Sequence, residues 1–414
     1  MTIGRTLLLA VDGLDEQDLA TLRREGALSG DLTALQIRAG GPSEPAPALA
    51  SLVTGASVAH TGVATQVPFR PDLPDSRSTW YASSVTAPTL FEAARERGLT
   101  TAALHWPATA GAEIDLCLPL VEDLRRYRTR WDMAERTSSP RMVAEHLVPR
   151  REAGVQLSQV PSDDLVAEIA AEALIRGPVQ LLAARLTGLG IVRRESGPGA
   201  AAERALLDTA DALRQIQCAF APDAEDRVLL VPGRRLVPAA LLVHPNAALA
   251  AAGLLRTDGT RLDGFRALVW PDGPRGVLHV RREEGDALRT AALEALAEIA
   301  AHSRLQLRTV DDGVGATEAT DVIAVLEGTP GTVVGLSPTH RPLVDGDDPY
   351  YAGPRAVSDP SAPAAALVRG PGLPSSPVEG SWADLGVTLA HALDLELSGA
   401  TAQGMHRAAP LGRA

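Results

Sequence analysis

The sequence contains no lysine, and all 39 basic residues among its 414 are arginine. A chain without a lysine amine forms no Schiff base, does not anchor pyridoxal phosphate and lacks the lysine of a phosphate-binding P-loop. Those reaction classes are therefore excluded. Arginine remains available for phosphates and carboxylates, which its planar guanidinium group binds through two parallel hydrogen bonds.

Cysteine, positive charge and long apolar runs are also scarce. Cys117 and Cys218 form no CxxC pattern, so neither a disulfide framework nor a thiolate zinc site is expected. The net charge of -12 argues against a nucleic-acid partner and against a membrane surface, since both bind clustered positive charge. No run of 18 apolar residues occurs, and the apolar start is too short for a secretion signal. We expect a cytoplasmic protein; the sequence identifies no protein partner.

What the chain does contain is an alternation of buried strands and helices. The first run, "TLLLAVDG", is typical of a buried parallel strand with Asp12 at its carboxyl end, where open α/β sheets bind ligands. Helical periodicity recurs at 89–98, 163–177, 201–220 and 286–303, and strand-like runs occur at 100–106, 179–186, 226–233, 276–282 and 321–328. This order predicts an α/β fold with a mostly parallel, doubly wound sheet flanked by helices.

One segment interrupts the alternation. Residues 238–312 are predicted to form an inserted cap, and residues 1–237 and 313–414 the α/β core. Residues 330–382 are rich in Pro, Gly and Asp, which favours surface loops at one end of the sheet.

The order of the segments resembles the type I phosphodiesterase and nucleotide pyrophosphatase branch of the alkaline phosphatase superfamily. The similarity covers nearly the whole chain and consists of these segments: "LLLAVDGL" near the start, "PALASLVTGASVAHTGV" at 47–63, "TLFEAARERGLTTAALHWP" at 89–107, "HPNAALAAAGLLR" at 244–256, "ATDVIAVLEGTPG" at 319–331, "AALVRGPGL" at 365–373 and "ADLGVTLAHALDLELSGATAQG" at 383–404. The resemblance implies an alkaline-phosphatase-like fold.

The resemblance also implies a chemistry in which two zinc ions, held by Asp and His, clamp a phosphoryl group while a Thr or Ser attacks it. Asp12 matches the first zinc ligand. The nucleophile position falls on Pro45, which has no hydroxyl group. The Asn and His that usually follow are Ala48 and Leu49, so a phosphate-contacting amide is missing there.

The remaining ligand positions have changed as well. Where the family has an Asp and then a His, this chain has Thr187 and Ile191. Where the family has Asp-His-Gly, it has Gly233, Arg234 and Arg235. His340 is a loose match to the last ligand, a His. These replacements predict that the family's hydrolysis is lost.

Three functional hypotheses follow. In the first, the old pocket binds an anionic small molecule, such as a phosphate ester, without zinc or another cofactor. Asp12, Arg234 and Arg235 form its floor, with Thr187 and His340 nearby, in a non-hydrolytic enzyme or pseudoenzyme. The second is a metal-dependent phosphodiesterase with zinc rebuilt on Asp12, His340 and Asp345. The third is a structural subunit with a filled pocket.

A relocated nucleophile is an open alternative. Ser43 lies close to the lost nucleophile position but has no evident base in the sequence. Ser51 is expected to be buried packing.

Overall fold

The structure is a computed structural model that describes residues 4–28, 30–40, 43–71, 79–123, 126–158, 162–177, 179–310 and 316–405. Its strands are, in chain order, β1 (Thr6–Val11), β2 (Thr33–Ile37), β3 (Thr101–Leu104), β4 (Leu116–Leu118), β5 (Leu181–Leu186), β6 (Arg227–Pro232), β7 (Leu236–Pro238), β8 (Leu241–Val243), β9 (Leu255–Asp258), β10 (Arg261–Phe265), β11 (Ala267–Asp272), β12 (Arg275–Arg281), β13 (Leu305–Thr309), β14 (Thr320–Gly328), β15 (Thr332–Val334), β16 (Leu343–Asp345), β17 (Ala356–Ser358), β18 (Ala364–Arg369) and β19 (Glu379–Gly380).

The α-helices are α1 (Leu19–Arg24), α2 (Pro45–Thr54), α3 (Val58–Thr61), α4 (Leu90–Glu96), α5 (Arg130–Thr137), α6 (Pro140–Met142), α7 (Val148–Glu152), α8 (Asp163–Arg176), α9 (Gly188–Ser196), α10 (Ala200–Phe220), α11 (Pro245–Ala251), α12 (Asp286–Ala300) and α13 (Trp382–Ala392). Short 3-10 turns lie at Glu16–Asp18 and Ala82–Ser84, and a π-helical turn lies at Val143–Leu147. Across the described ranges, no helix is both long enough and apolar enough to cross a bilayer.

A large, mostly parallel sheet forms the centre of the fold. In the described part of the chain it has eight strands in the order β19-β2-β18-β6-β1-β5-β3-β4. β1 pairs in parallel with β5 and β6, and β3 pairs in parallel with β5 and β4. β18 runs antiparallel to β2 and β6. The predicted fold class, an α/β protein with a mostly parallel sheet, is confirmed.

Helices cover both faces of this sheet, which explains why β1 is apolar throughout. Leu7 and Leu9 belong to the core shared with α8 and α10, whereas Leu8 and Ala10 belong to the core shared with α2, α4 and α13. Alternate residues of a strand point to opposite faces. Burying a leucine completely contributes about 1.5–3 kcal/mol, so both faces stabilise the sheet.

A second sheet, which is antiparallel, lies in the inserted region. Its order is β11-β12-β14-β13, and it packs against α11 and α12. The predicted boundary at 312 divides this sheet, because β13 precedes it and β14 follows it. The assignment of 321–328 to the core is therefore corrected. Every second residue of β14 is only partly buried, whereas β1 is buried throughout, and such alternation is typical of a sheet with one open face.

Small sheets connect the inserted region to the core. β8 pairs with β15 and β16, and β7 pairs with β17. The segment predicted as loops, 330–382, thus contains β15 to β19, and β18 returns the chain to the central sheet.

Candidate functional site

The candidate site lies where the parallel strands of the central sheet end. Asp12 directly follows β1, His105 follows β3, Thr187 follows β5 and Gly233 follows β6. The carboxyl ends of parallel strands share one edge of the sheet, the usual ligand-binding edge of such folds.

Asp12 is bound by a guanidinium group. Arg185 Nε lies 3.1 Å from Asp12 Oδ1, and Arg185 Nη2 lies 2.5 Å from Oδ2. The pair forms because β1 and β5 are neighbours in register, with Ala10 opposite Arg185. Both side chains are almost fully buried, at 5% and 9% exposure. Both oxygens of the carboxylate that matches a zinc ligand are therefore engaged by a fixed cation.

α9 packs closely against this ion pair. A Cβ at Gly190 would lie 2.7 Å from the Asp12 Cβ, so only glycine fits there. Asp163, at the start of α8, accepts hydrogen bonds from Thr187 N at 2.8 Å and Gly188 N at 3.0 Å. Burial raises the pKa of Asp163 to about 6, although these two N–H groups lower it, and the charge of Asp12 raises it further. Thr187 Oγ1 is buried without a hydrogen-bond partner in the described residues.

His105 is fully buried beside this centre. Its backbone is left-handed, with φ 54°, and neither ring nitrogen has a hydrogen-bond partner among the residues described. Burial lowers the pKa of His105 to about 3, and the charge of Arg185 lowers it further. The imidazole is therefore neutral near pH 7.

The start of α2 carries the position of the family's nucleophile. Pro45 is the first residue of the helix, where a missing N–H costs nothing. Ala46 N donates to Gln66 Oε1 at 3.2 Å, so a side-chain amide does lie at this helix end. Glu44 precedes the helix, with its carboxylate 3.7 Å from Arg194 Nη2. Burial raises the pKa of Glu44; Arg194 opposes this effect.

A hydrogen-bonded chain links this helix end to the inserted sheet. Ser43 Oγ donates to Asp272 Oδ1 at 2.8 Å, and Arg275 Nη2 lies 2.5 Å from Asp272 Oδ2. The sequence suggested no base for Ser43, yet a carboxylate contacts its hydroxyl. Ser43 is only 1% exposed and Asp272 is ion-paired, so the contact joins the two regions of the fold rather than presenting a nucleophile.

A cleft of about 740 Å³ lies between the core and the inserted sheet. The core contributes residues of α3 and the loop after it, including Phe69. The sheet contributes Trp270, whose Nε1 donates to Val67 O at 2.8 Å and so ties the two regions together. Among the described residues, the charged side chains of the lining are Arg70, Asp272, Arg275, Arg308 and Glu327. A cleft of this volume suits a small molecule of drug size.

Arg234 and Arg235 do not join Asp12 in one pocket floor. The Arg234 guanidinium, 7% exposed as a residue, donates to the backbone oxygens of Gly40, of Ala362 at 3.2 Å and of Arg38 at 3.5 Å. It lines a separate cavity of about 730 Å³, and the exposed Arg235 lines another of about 500 Å³. The prediction of one pocket floor formed by Asp12, Arg234 and Arg235 is therefore wrong. Arg234 donates to backbone oxygens of other segments, and Arg185 is the cation beside Asp12.

The residues proposed for a rebuilt metal site also lie apart. His340 is exposed, with its ring centroid 5.0 Å from that of His244, and Asp345 is exposed at the end of β16. In the described ranges, no three His, Cys, Asp or Glu side chains converge as metal ligands would. The alternative set of Asp12, His340 and Asp345 is not assembled. With Asp12 engaged by Arg185, these donors do not fit a zinc centre.

Sequence reasoning missed Arg185, Asp163, Gln66 and the Ser43–Asp272 contact. Arg185 could have been found from the sequence, because it is the one charged residue in the mostly apolar run "VQLLAARL". A buried arginine requires a carboxylate partner, and the neighbouring strand ends in Asp12. Asp272 left no comparable signal, since 229 positions separate it from Ser43.

One known protein family matches the N-terminal half of this chain. A profile of the type I phosphodiesterase / nucleotide pyrophosphatase family matches residues 6–223. The chain belongs to this family. No curated protein matches the sequence significantly.

Solved structures share the fold of this family member. Murine ectonucleotide pyrophosphatase/phosphodiesterase 5, as an inactive variant with AMP, is 15% identical with a TM-score of 0.61, over 95% of this chain and 96% of that one. The human protein of the same name is 15% identical with a TM-score of 0.60, over 97% of each chain. At this identity the likeness establishes the fold alone.

Proposed function

We propose that this family member binds an anionic small molecule in the cleft between core and inserted sheet, without zinc and without the family's two-metal hydrolysis. In this proposal the protein acts as a non-hydrolytic enzyme or as a pseudoenzyme that binds its ligand.

The observation that carries the proposal is the ion pair between Asp12 and Arg185. A zinc site needs three or four converging donors, and in the described residues no such set assembles around Asp12, whose two oxygens instead accept hydrogen bonds from Arg185. A guanidinium at this point also repels a divalent cation. Pro45 adds a second, independent reason, because a residue without a hydroxyl does not attack phosphorus.

Two features support an anionic ligand. Arg275 and Arg70 line the cleft, and their guanidinium groups can donate hydrogen bonds to an acidic group. The murine relative was solved with AMP, a phosphate ester, which makes AMP a reasonable first probe.

The test combines binding and turnover on one sample. AMP binding is measured by calorimetry with and without EDTA, and hydrolysis of bis(nitrophenyl) phosphate is followed with added zinc. We expect binding that EDTA leaves unchanged, and no zinc-dependent hydrolysis. Zinc-stimulated hydrolysis that Asp12→Ala abolishes would overturn the proposal, because it would require a working metal centre on Asp12.

A further inference from the structure

We infer that the ligand of this cleft is an amphipathic anion, with an apolar body and one acidic group, and that Arg275 and Arg70 bind the acidic group. This inference rests on the proposed function and specifies its ligand class.

The orientation of Arg275 is fixed from the core. Ser43 Oγ donates to one oxygen of Asp272, and the other oxygen accepts from Arg275 Nη2 at 2.5 Å. Gly273, with φ 60°, completes the turn between β11 and β12, and a Cβ there would lie 2.8 Å from Ser43 Oγ. The turn therefore packs tightly against Ser43.

This contact leaves most of the Arg275 guanidinium available. Nη2 engages Asp272, while Nε and Nη1 have no hydrogen-bond acceptor among the described residues. A guanidinium group has five N–H donors, so the donors that Asp272 does not use can bind an acidic group. A side chain held in this way loses little conformational freedom when the ligand binds.

The charges of the cleft favour a single acidic group. Its described lining has three arginines, Arg70, Arg275 and Arg308, against two carboxylates, Asp272 and Glu327. Arg308 Nη2 donates to Glu327 Oε1 at 2.9 Å, and Arg275 engages Asp272. Arg70 has no carboxylate partner in the described part of the chain and is the one positive charge in excess among the described lining residues.

A further potential cation in the lining is neutral. His279 is buried behind Phe69, with ring centroids 4.0 Å apart. Burial lowers the pKa of His279 to about 4. A polyphosphate would therefore leave most of its charge without a partner in this cleft.

The rest of the lining is apolar. Val277 and Val325 are directly paired across β12 and β14, and both are half-buried on the cleft side of the sheet. Val58 faces them from the core, and Phe69 and Trp270 form an aromatic corner with centroids 5.4 Å apart. Such walls stabilise a ring or a short hydrocarbon by removing its surface from water.

The test uses a matched pair of fluorescent probes. Anilinonaphthalene sulfonate carries an apolar ring system and one acidic group, and phenylnaphthylamine is a neutral compound with the same ring system. We expect the sulfonate to bind at one site per chain and about tenfold more tightly than the neutral compound, because hydrogen bonds to a charged group reach that magnitude.

Single substitutions test which side chains bind the two probes. Arg275→Gln and Arg70→Gln should each weaken sulfonate binding about tenfold and flatten its dependence on salt, while the affinity of the neutral probe stays unchanged. Arg275→Lys should recover part of the loss. Val277→Ser should weaken both probes. Arg266→Gln removes an arginine paired with Glu284 outside the cleft and serves as the matched control.

Two results would overturn the inference. One is sulfonate affinity that Arg275→Gln leaves unchanged; the other is inorganic pyrophosphate binding more tightly than the sulfonate. Both leave the proposed function untouched. Zinc-dependent hydrolysis, in contrast, would remove the proposed function whatever the probes show.

Discussion

At the scale of single residues, Arg185 determines the chemistry of the centre. A carboxylate buried at the end of β1 needs a positive partner, since an unpaired buried charge is costly. In this family the partner is expected to be zinc; here it is a guanidinium from the neighbouring strand. The sequence revealed Asp12 because it closes a strand. The cation was assigned to Arg234 and Arg235 because they stand at a matching motif position, and Arg185 was overlooked although it is the one charged residue of its strand.

Removing Arg185 tests this pairing. Arg185→Met leaves the Asp12 charge buried without a partner, and we expect a loss of about 3–5 kcal/mol in the free energy of unfolding, measured with urea. Adding Asp12→Leu removes that charge and should restore most of the loss. Arg136→Ala, which breaks an exposed pair with Asp132, should leave the free energy of unfolding nearly unchanged. An equally small change in Arg185→Met would contradict the pairing of Arg185 with Asp12.

At the scale of elements, Asp163 joins two helices by a contact that no periodicity predicts. It begins α8, yet its carboxylate accepts from the first N–H groups of α9, where negative charge is favoured. The sequence predicted α8 as a helix but did not predict α9, and the relative position of the two helices depends on packing over the whole sheet. The sequence also could not place β14. Its residues were correctly predicted to form a strand, but only the alternating burial seen in the structure assigned it to the antiparallel sheet.

The pH dependence of stability tests the Asp163 contact. The pKa of Asp163 is raised from 3.8 to about 6 in the folded protein. A raised pKa adds stability that is fully present below the unfolded value and is lost as the pH rises through the folded value. We therefore expect the free energy of unfolding of the wild type, minus that of Asp163→Asn, to fall by on the order of 1 kcal/mol between about pH 4 and about pH 7.

Other titrating groups cancel in that difference. The pKa of His105 is lowered from 6.5 to about 3, so the protein loses stability as the pH falls below 6.5. This loss occurs equally in the wild type and in Asp163→Asn. A difference that stays flat, or that rises with pH, would show that folding does not raise the pKa of Asp163.

At the scale of the whole molecule, the cleft exists because an inserted antiparallel sheet stands beside the carboxyl edge of the central sheet. The hydrophobic periods of the sequence predicted the parallel strands β1, β3, β5 and β6 at the centre of the sheet, but not β2, β4, β18 and β19. The cleft was not predictable in this way. Its two sides meet through contacts such as Trp270 to Val67 and Ser43 to Asp272, which join residues about two hundred positions apart.

The most direct test of the central claim, that a guanidinium has replaced zinc at Asp12, is the zinc content of the purified protein. The protein is incubated with excess zinc, exchanged into metal-free buffer and analysed by elemental mass spectrometry beside Asp12→Ala. We expect essentially no retained zinc in either protein. About two zinc ions per chain in the wild type, lost in Asp12→Ala, would contradict the claim.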